Sequence, residues 1–443
     1  MKYEDALAYM DRLTLLGWQP GLERFTEFCK RLGDPQERFK SVHVAGTNGK
    51  GSTTAMIASI LHAAGYKTGM YVSPYVYDIR ERVQIDGRMI SEEDFARLVE
   101  SMIPCAEELA GTEFGHPTEF EVKTALGFLY FAEQKVDFAV LEVGLGGRLD
   151  ATNIVRPEVS VITSIGLDHT DRLGTTIPEI ACEKAGIVKP NGHLVTAVTD
   201  PSAFEVIRRI CAERNSVVWQ VCPTDAAGSH FEVRPIGPED SPCQERTPPG
   251  ERMPTLAVDG VSHRYEGLEV GMRGEFQYVN AATAVGAVEA LISKGFEASE
   301  EAVRIGLRDA YMPGRLEVVR TAPTVVLDGA HNLSAAATLA SAVEAQFDYD
   351  RLILVMGMVK GHSIDDVVGV LSPLADVFIA TSPSGPRAMP AESIADAARR
   401  YVSEIEVIEP VSAAVHRALE LATPRDLVLI TGSFYVVGEV SDL

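Results

Sequence analysis

Short apolar runs alternate with stretches of helical spacing along most of the chain. The runs at 41–45, 137–142, 159–163, 193–198, 324–328, 351–356, 376–381 and 426–431 are rich in β-branched residues and lack polar alternation. Such runs suit parallel strands buried on both faces. Between them, 52–65, 92–109, 121–134, 279–294, 333–346, 391–401 and 411–422 show helical periodicity. Strand then helix, repeated, predicts an α/β fold with parallel sheets.

One stretch breaks the rhythm. Residues 222–258 contain Pro223, Pro235, Pro238, Pro242, Pro248, Pro249 and Pro254 and little apolar periodicity. This predicts a surface insertion or loose hairpin. A fresh strand–helix series begins near 324, so a domain boundary is expected between 295 and 312. The expected division is 1–296 and 297–443.

Composition narrows the class. The 443 residues and 46% hydrophobic content suffice for two or three domain cores. A net charge of −23 argues against a nucleic-acid partner. Cys29, Cys105, Cys182, Cys211, Cys222 and Cys243 form no C-x-x-C pair. Their scatter suits a reducing compartment rather than a zinc site or disulfide framework. The first residues carry Glu4, Asp5 and Asp11 and no secretory pattern, and no apolar run is long enough to span a membrane. A cytoplasmic enzyme is expected.

The strongest local signal follows the first apolar run. Val42–Ala45 leads into Gly46-Thr47-Asn48-Gly49-Lys50-Gly51-Ser52-Thr53, and a helical pattern continues through Ala55, Met56, Ile57, Ile60 and Leu61. Glycines let backbone N–H groups approach phosphate oxygens, and the helix N-terminus adds positive potential. Lys50 supplies a point charge, and a hydroxyl at Ser52 or Thr53 suits Mg²⁺. The spelling departs from the common phosphate-loop pattern. Val44 replaces its first glycine, and Gly51 follows the lysine.

This loop, GTNGKGS, resembles that of the Mur ligase superfamily, specifically folylpolyglutamate synthase and dihydrofolate synthase. Supporting segments are SPYVYDIRERVQIDG (73–87), PTEFE (117–121), LEVGLGGRLDATN (141–153), TSIGLDHTDRLG (163–174), EKAGIVKP (183–190), NAATA (280–284), PGR (313–315), DGAHN (328–332) and TGSFYVVGEV (431–440). They occur in the family's order. The resemblance implies a P-loop ATPase domain with a parallel sheet, then a smaller C-terminal Rossmann-like α/β domain, with the active site between them. It implies ATP-dependent addition of L-glutamate to tetrahydrofolate-type folates, and to dihydropteroate, through an acyl phosphate. Such chemistry needs positioning and charge neutralisation rather than a nucleophilic side chain. No G-x-S-x-G elbow or Cys/His signature is visible.

The resemblance also assigns residues. Gly46, Thr47, Asn48, Gly49, Lys50, Gly51 and Ser52 are expected on ATP, with Asn280, Arg315, Asp328 and His331 completing the nucleotide site. The alternative for Asp328 and His331 is that they only shape a turn. Ser73, Glu142 and His169 match metal ligands for Mg²⁺, in two sites. Lys184 matches a lysine that is often carbamylated, which would turn an ammonium into an anionic ligand. Lys50, Glu142, His169 and Lys184 form the expected catalytic set. The pterin side is expected at Gln19, Pro20, Gly21, Thr118, Glu119, Phe120, Glu121, Leu149, Asp150 and Ala151. Arg82 is placed on glutamate or the pterin tail, with an ion pair to Glu81 or Asp86 as the alternative, and Ser433 is placed on glutamate. Glu119 stands where some bifunctional members carry an aromatic residue, and Tyr75 where many carry histidine. The partners implied are small molecules, and the precedent is a monomer. Three other readings are a folate ligase that only polyglutamylates, a cell-wall Mur ligase, which usually has a further N-terminal domain, and a P-loop protein that uses ATP as a conformational switch.

Overall fold

The computed structural model describes residues 1–17, 19–224, 230–235 and 255–440. The first sheet comprises β1 (Lys40–Ala45), β2 (Thr68–Tyr71), β3 (Val83–Ile85), β4 (Arg88–Met89), β5 (Phe138–Glu142), β6 (Val159–Ile162), β7 (His193–Thr196), β8 (Val217–Pro223), β9 (His230–Pro235), β10 (Leu256–Asp259) and β11 (Arg264–Leu268). Their order is β11-β10-β9-β8-β7-β6-β1-β5-β2-β3-β4. From β8 through β2 every pairing is parallel. Antiparallel pairs flank that centre on both sides.

The second sheet comprises β12 (Glu317–Thr321), β13 (Thr324–Leu327), β14 (Leu352–Met356), β15 (Val377–Ala380), β16 (Ile405–Val407) and β17 (Leu427–Thr431). Its order is β12-β13-β17-β14-β15-β16, parallel except for β12. β1, β5, β6, β7, β13, β14, β15 and β17 match the predicted runs, while the parallel strands β2, β8 and β16 were not predicted. β1, β5, β14 and β17 are buried almost throughout, as strands covered by helices on both faces must be.

Two apolar layers cover the first sheet. Helices Lys50–Ala63 and Phe276–Ser293 pack on one face through Met56, Ile60, Val285 and Val288. Helices Tyr3–Leu13, Glu92–Ala110 and Glu119–Glu133 pack on the other through Met10, Val99 and Phe128. Helix Glu300–Asp309 joins the first layer through Val303 and Leu307. A Cβ on Gly306 would lie 2.4 Å from the Ile60 Cα, so only glycine permits this approach. Apolar residues from Leu316 onward join the cores of the second sheet.

The proline-rich stretch contains the end of β8, all of β9 and most of β10, next to the edge strand β11. β8 and β9 form an antiparallel pair, and β10 lies parallel to β9. The rest of 222–258, the predicted loose insertion, lies outside the described residues. Among the described residues no helix is long and apolar enough to cross a membrane.

Candidate active site

Parallel strands deliver their C-terminal ends to one edge, where α/β proteins build ligand sites. β1 ends at Ala45 and runs into Gly46. β5 ends at Glu142, whose Cα partner across the ladder is Val44. The loop after β6 holds the phosphate loop in shape. Thr47 N–H donates to the Ser164 carbonyl (2.8 Å), Asn48 N–H to Ser164 Oγ (3.0 Å), and Thr163 Oγ1 to the Asn48 carbonyl (2.6 Å). Gly49 adopts φ +80° as the cap of helix Lys50–Ala63. A Cβ there would lie 2.3 Å from Asn280 Oδ1. Asn280 in turn donates to Gln277 Oε1 (2.9 Å), and Gln277 Nε2 donates to Ser52 Oγ (3.2 Å). Lys50 Nζ donates to the Thr47 carbonyl (3.1 Å), folded over its own loop.

The glycine after the lysine has a geometric reason. A Cβ on Gly51 would lie 3.2 Å from Met312 Cε, 3.6 Å from an Arg315 guanidinium nitrogen and 3.7 Å from Glu142 Oε1. Gly51 thus sits where the junction to the second sheet meets the first. Arg315 also lies over the Phe434 ring, 4.2 Å from its centroid. Desolvation in the cleft pushes the Arg315 guanidinium down, opposed by Asp328 and Glu142.

Glu142 is 2% exposed and accepts a hydrogen bond from the Ser73 backbone N–H (2.8 Å). Burial pushes its carboxyl up, opposed by Lys50, the Ser73 N–H, Arg315 and Arg82. Lys184 is 4% exposed, and its Nζ donates to the Gly46 carbonyl (2.8 Å). Burial and the Lys50 charge bring Lys184 down to about 7, against the pull of Asp168. His169 has φ +48° and caps the short helix Thr170–Leu173. Burial lowers its basicity, Asp168 opposes, and His362, Lys50 and Lys184 add to the lowering.

Two residues outside the expected set complete this corner. Asp168 lies 3.5 Å from His362 Nδ1 and 4.0 Å from His331 Nε2. The His331 and His362 rings are 4.6 Å apart, and His169 is 5.3 Å from His362. Burial opposes the Asp168 charge, but His362, His169 and His331 hold its carboxyl below the usual range. Asp168 stands beside His169 in GLDHTD, so its motif was a signal. His362 lies 30 residues past DGAHN with no local pattern, and only the fold brings it in.

Other expected residues have structural duties. Asp328 accepts the Leu316 and Ala330 N–H groups (2.9 and 2.8 Å), shaping the turn beside Arg315. His331 Nδ1 contacts the Gly329 carbonyl at 2.7 Å, and burial brings the ring down to about 4. Ser433 Oγ accepts the Tyr435 N–H and caps helix Phe434–Gly438. Asp150 accepts from the Leu145 N–H, Thr152 N–H and Thr152 Oγ1, fixing the turn that contains Leu149 and Ala151. A Cβ on Gly144 would lie 2.4 Å from Phe120 Cζ, so that turn packs on the Phe120 ring.

Arg24, also outside the expected set, gathers the acceptor side. It donates to Glu121 Oε2 (2.8 Å), Gln19 Oε1 (2.8 Å) and the Gln19 carbonyl (3.0 Å). The Gln19-Pro20-Gly21 turn is thereby joined to the Thr118–Glu121 segment. Thr118 and Glu121 form the capping box of helix Glu119–Glu133. Arg82 makes neither ion pair offered as its alternative. Glu81 instead accepts the N–H groups of Val76, Tyr77 and Asp78, and Asp86 accepts the Thr68 N–H. Among the described residues, buried Nε and Nη1 of Arg82 have no hydrogen-bond partner.

The carboxylate of Glu142 and the hydroxyl of Ser73 suit a hard divalent cation, and the imidazole of His169 is a softer donor beside them. Among the described residues no three His, Cys, Asp or Glu side chains form a metal cage of their own.

Comparison with known proteins agrees with this geometry. The Mur ligase middle domain family matches residues 44–288, and the Mur ligase, glutamate ligase domain family matches 314–434. The dihydrofolate synthase/folylpolyglutamate synthase of Bacillus subtilis is 39% identical over 441 residues, covering 99% of this chain and 98% of that one. The chain belongs to the dihydrofolate synthase/folylpolyglutamate synthase family of Mur ligases. A Mycobacterium tuberculosis folylpolyglutamate synthase structure complexed with ADP matches this ligase with a TM-score of 0.85. Identity is 30%, with 99% of this chain and 98% of that one covered. A Yersinia pestis folylpolyglutamate synthase/dihydrofolate synthase structure complexed with AMPPNP and Mn ion gives 0.80 at 31% identity, covering 99% and 97%.

Proposed function

We propose that this ligase uses ATP to join L-glutamate to the carboxylate of tetrahydrofolate-type substrates and of dihydropteroate. The observation that carries this reading is the convergence on Gly51. The phosphate loop, buried Glu142 and Arg315 from the junction with the second sheet meet there. A site for phosphate transfer to a bound carboxylate needs those parts together.

In this mechanism the substrate carboxylate oxygen attacks the γ-phosphorus, and ADP leaves. The glutamate amine then attacks the acyl carbon, and phosphate leaves with the former carboxylate oxygen. Lys50 and the loop N–H groups hold the phosphates. Arg315 neutralises the charge that develops as the γ-phosphoryl moves. Ser73, Glu142 and His169 would hold one divalent cation, and Lys184 would face a second; when bound, these supply further charge neutralisation. Lys184 would face its cation as a carbamate, formed by adding CO₂ to Nζ with loss of a proton. Its buried contact with the Gly46 carbonyl puts Nζ against the phosphate loop, where an ammonium would repel a cation.

Gln19–Gly21, Thr118–Glu121 and Leu149–Ala151 line the acceptor side in this reading. Arg82 and Ser433 serve the carboxylate end. The adenine and ribose are placed against Asn280, Asp328 and His331. The ligase acts as a cytoplasmic monomer. The domains join at residues 313–315, downstream of 297, because Val303, Leu307, Ala310 and Met312 pack in the first core.

The test is ATP-dependent phosphate release with Mg²⁺ and L-glutamate, offering tetrahydrofolate and dihydropteroate separately. Turnover is expected with each. Turnover with tetrahydrofolate alone removes the dihydropteroate half, and turnover with neither overturns the reading.

A further inference from the structure

Lys123 stands out among residues without an expected role. It lies on the inner face of helix Glu119–Glu133 and is almost wholly buried. A buried ammonium is costly unless paired. Its carboxylate partner is Glu119, one turn earlier. The Tyr75 ring is close to both Lys123 and a second cation. Lys123 Nζ is 5.9 Å from the ring centroid, and the Arg82 guanidinium carbon is 5.6 Å from it. Burial and the Arg82 charge push Lys123 down to about 8, against the pull of Glu119 and Asp11.

Asp11 acts on Lys123 without contacting it, and the other neighbouring carboxylates are engaged elsewhere. Glu121 accepts from Arg24 and Thr118, Glu81 from three backbone N–H groups, Asp78 from Arg80, and Glu142 from Ser73. Among the described residues, Glu119 is the one carboxylate in contact with either cation, through Lys123, and the buried Nε and Nη1 of Arg82 meet no acceptor. Unpaired buried donors of this kind suit an anion. Their place decides which anion. Tyr75 is two residues from Ser73, Glu119 belongs to the acceptor segment, and Arg82 feels the Glu142 charge. The pair therefore lies between the acceptor side and the reacting centre, away from the phosphate cradle.

Given the proposed function, on which this rests, we infer that Lys123 and Arg82 form a site for the α-carboxylate that neighbours the reacting γ-carboxylate of a glutamyl tail. Lys123 is then a specificity residue. It favours acceptors that already carry a glutamate over those whose reacting carboxylate has no such neighbour.

Two acceptors separate this role from others. Tetrahydrofolate has both carboxylates. Tetrahydropteroyl-4-aminobutyrate keeps the reacting carboxylate and lacks the α-carboxylate. The expected result for Lys123→Met is that the ratio of kcat/KM for tetrahydrofolate over the analogue falls about tenfold or more, the effect of one charged hydrogen bond. Lys123→Arg should keep the ratio within about threefold of wild type. An unchanged ratio in Lys123→Met overturns the inference, whether both activities fall together or neither does. A raised KM for L-glutamate with an unchanged ratio also overturns it and moves the site to the incoming amino acid. If Lys123→Met does not fold, Lys123→Gln is measured the same way. Failure of the wild-type ligase on both acceptors would instead sink the proposed function, so the two failures are distinct.

Discussion

Asn48 of the phosphate loop and Asn332, the cap of helix Leu333–Gln346, hold each other through reciprocal amide contacts of 3.4 and 3.2 Å. Asn332 also donates to Asp168 (3.0 Å) and accepts the Ala335 N–H (2.9 Å). One side chain thus caps a helix of the second sheet and touches the loop of the first. Serine can cap a helix but cannot reach across. Asn332→Ser should leave stability within about 0.5 kcal/mol, while the KM for ATP rises. Asn332→Ala should also lose about 1 kcal/mol of stability. Thermal unfolding and ATP titration of both variants check this, and equal stability losses would contradict it.

Gly49 has no room for a side chain. Its φ is +80°, and a Cβ would clash with Asn280. Gly49→Ala should destabilise the protein by about 1–2 kcal/mol and abolish measurable ATP binding. Calorimetric titration with ATP and urea unfolding are the checks. Gly65 also has positive φ but open space around it. Gly65→Ala should lose about 1 kcal/mol with ATP binding retained.

How much of this was readable beforehand divides by range. β1, β5, β6, β7, β13, β14, β15 and β17 were legible because their apolar runs are unbroken, and the phosphate loop because its chemistry is local. Buried β2 and β8, whose runs carry polar residues, were not. Nor were strands β11 and β12, since β11 mixes exposed and buried positions and β12 has no buried position. Helix Tyr3–Leu13 buries Ala6, Tyr9, Met10 and Leu13, an i, i+3, i+4, i+7 pattern that the sequence does hold amid acidic residues. Glu142 and Lys184 could be named from their motifs, but their burial could not. The Arg24 link between residue 19 and residue 121, and the approach of His362 to Asp168, depend on chain segments far apart. No spacing rule reaches that far.

Lys184 carries a modification test. Under gentle conditions the intact mass should exceed the sequence mass by one carbamyl group. Lys184→Ala should lose activity and regain part of it with added short carboxylates. An unmodified mass together with no rescue would count against the carbamate.

His43 gives a pH dependence. It is fully buried on β1, with Nε2 at 2.8 Å from Thr152 Oγ1. Burial, helped by Lys189, brings it down to about 3 from 6.5. Between those values the unfolded chain binds a proton that the folded protein excludes. Stability from this residue is therefore present above about pH 6.5 and lost as pH falls toward 3, at up to about 1.4 kcal/mol per pH unit. Urea unfolding of His43→Gln should show a shallower decline than wild type between pH 6.5 and 5. Parallel curves would contradict this.

Isotope transfer tests the ligase chemistry most directly. The acceptor carboxylate is labelled with ¹⁸O and incubated with ATP, Mg²⁺ and L-glutamate. Carboxylate activation by phosphate transfer should move one labelled oxygen into each phosphate released, matched by one new amide. Phosphate released without label would show that ATP is hydrolysed by water, and would contradict the assignment of this cleft to amide-bond formation.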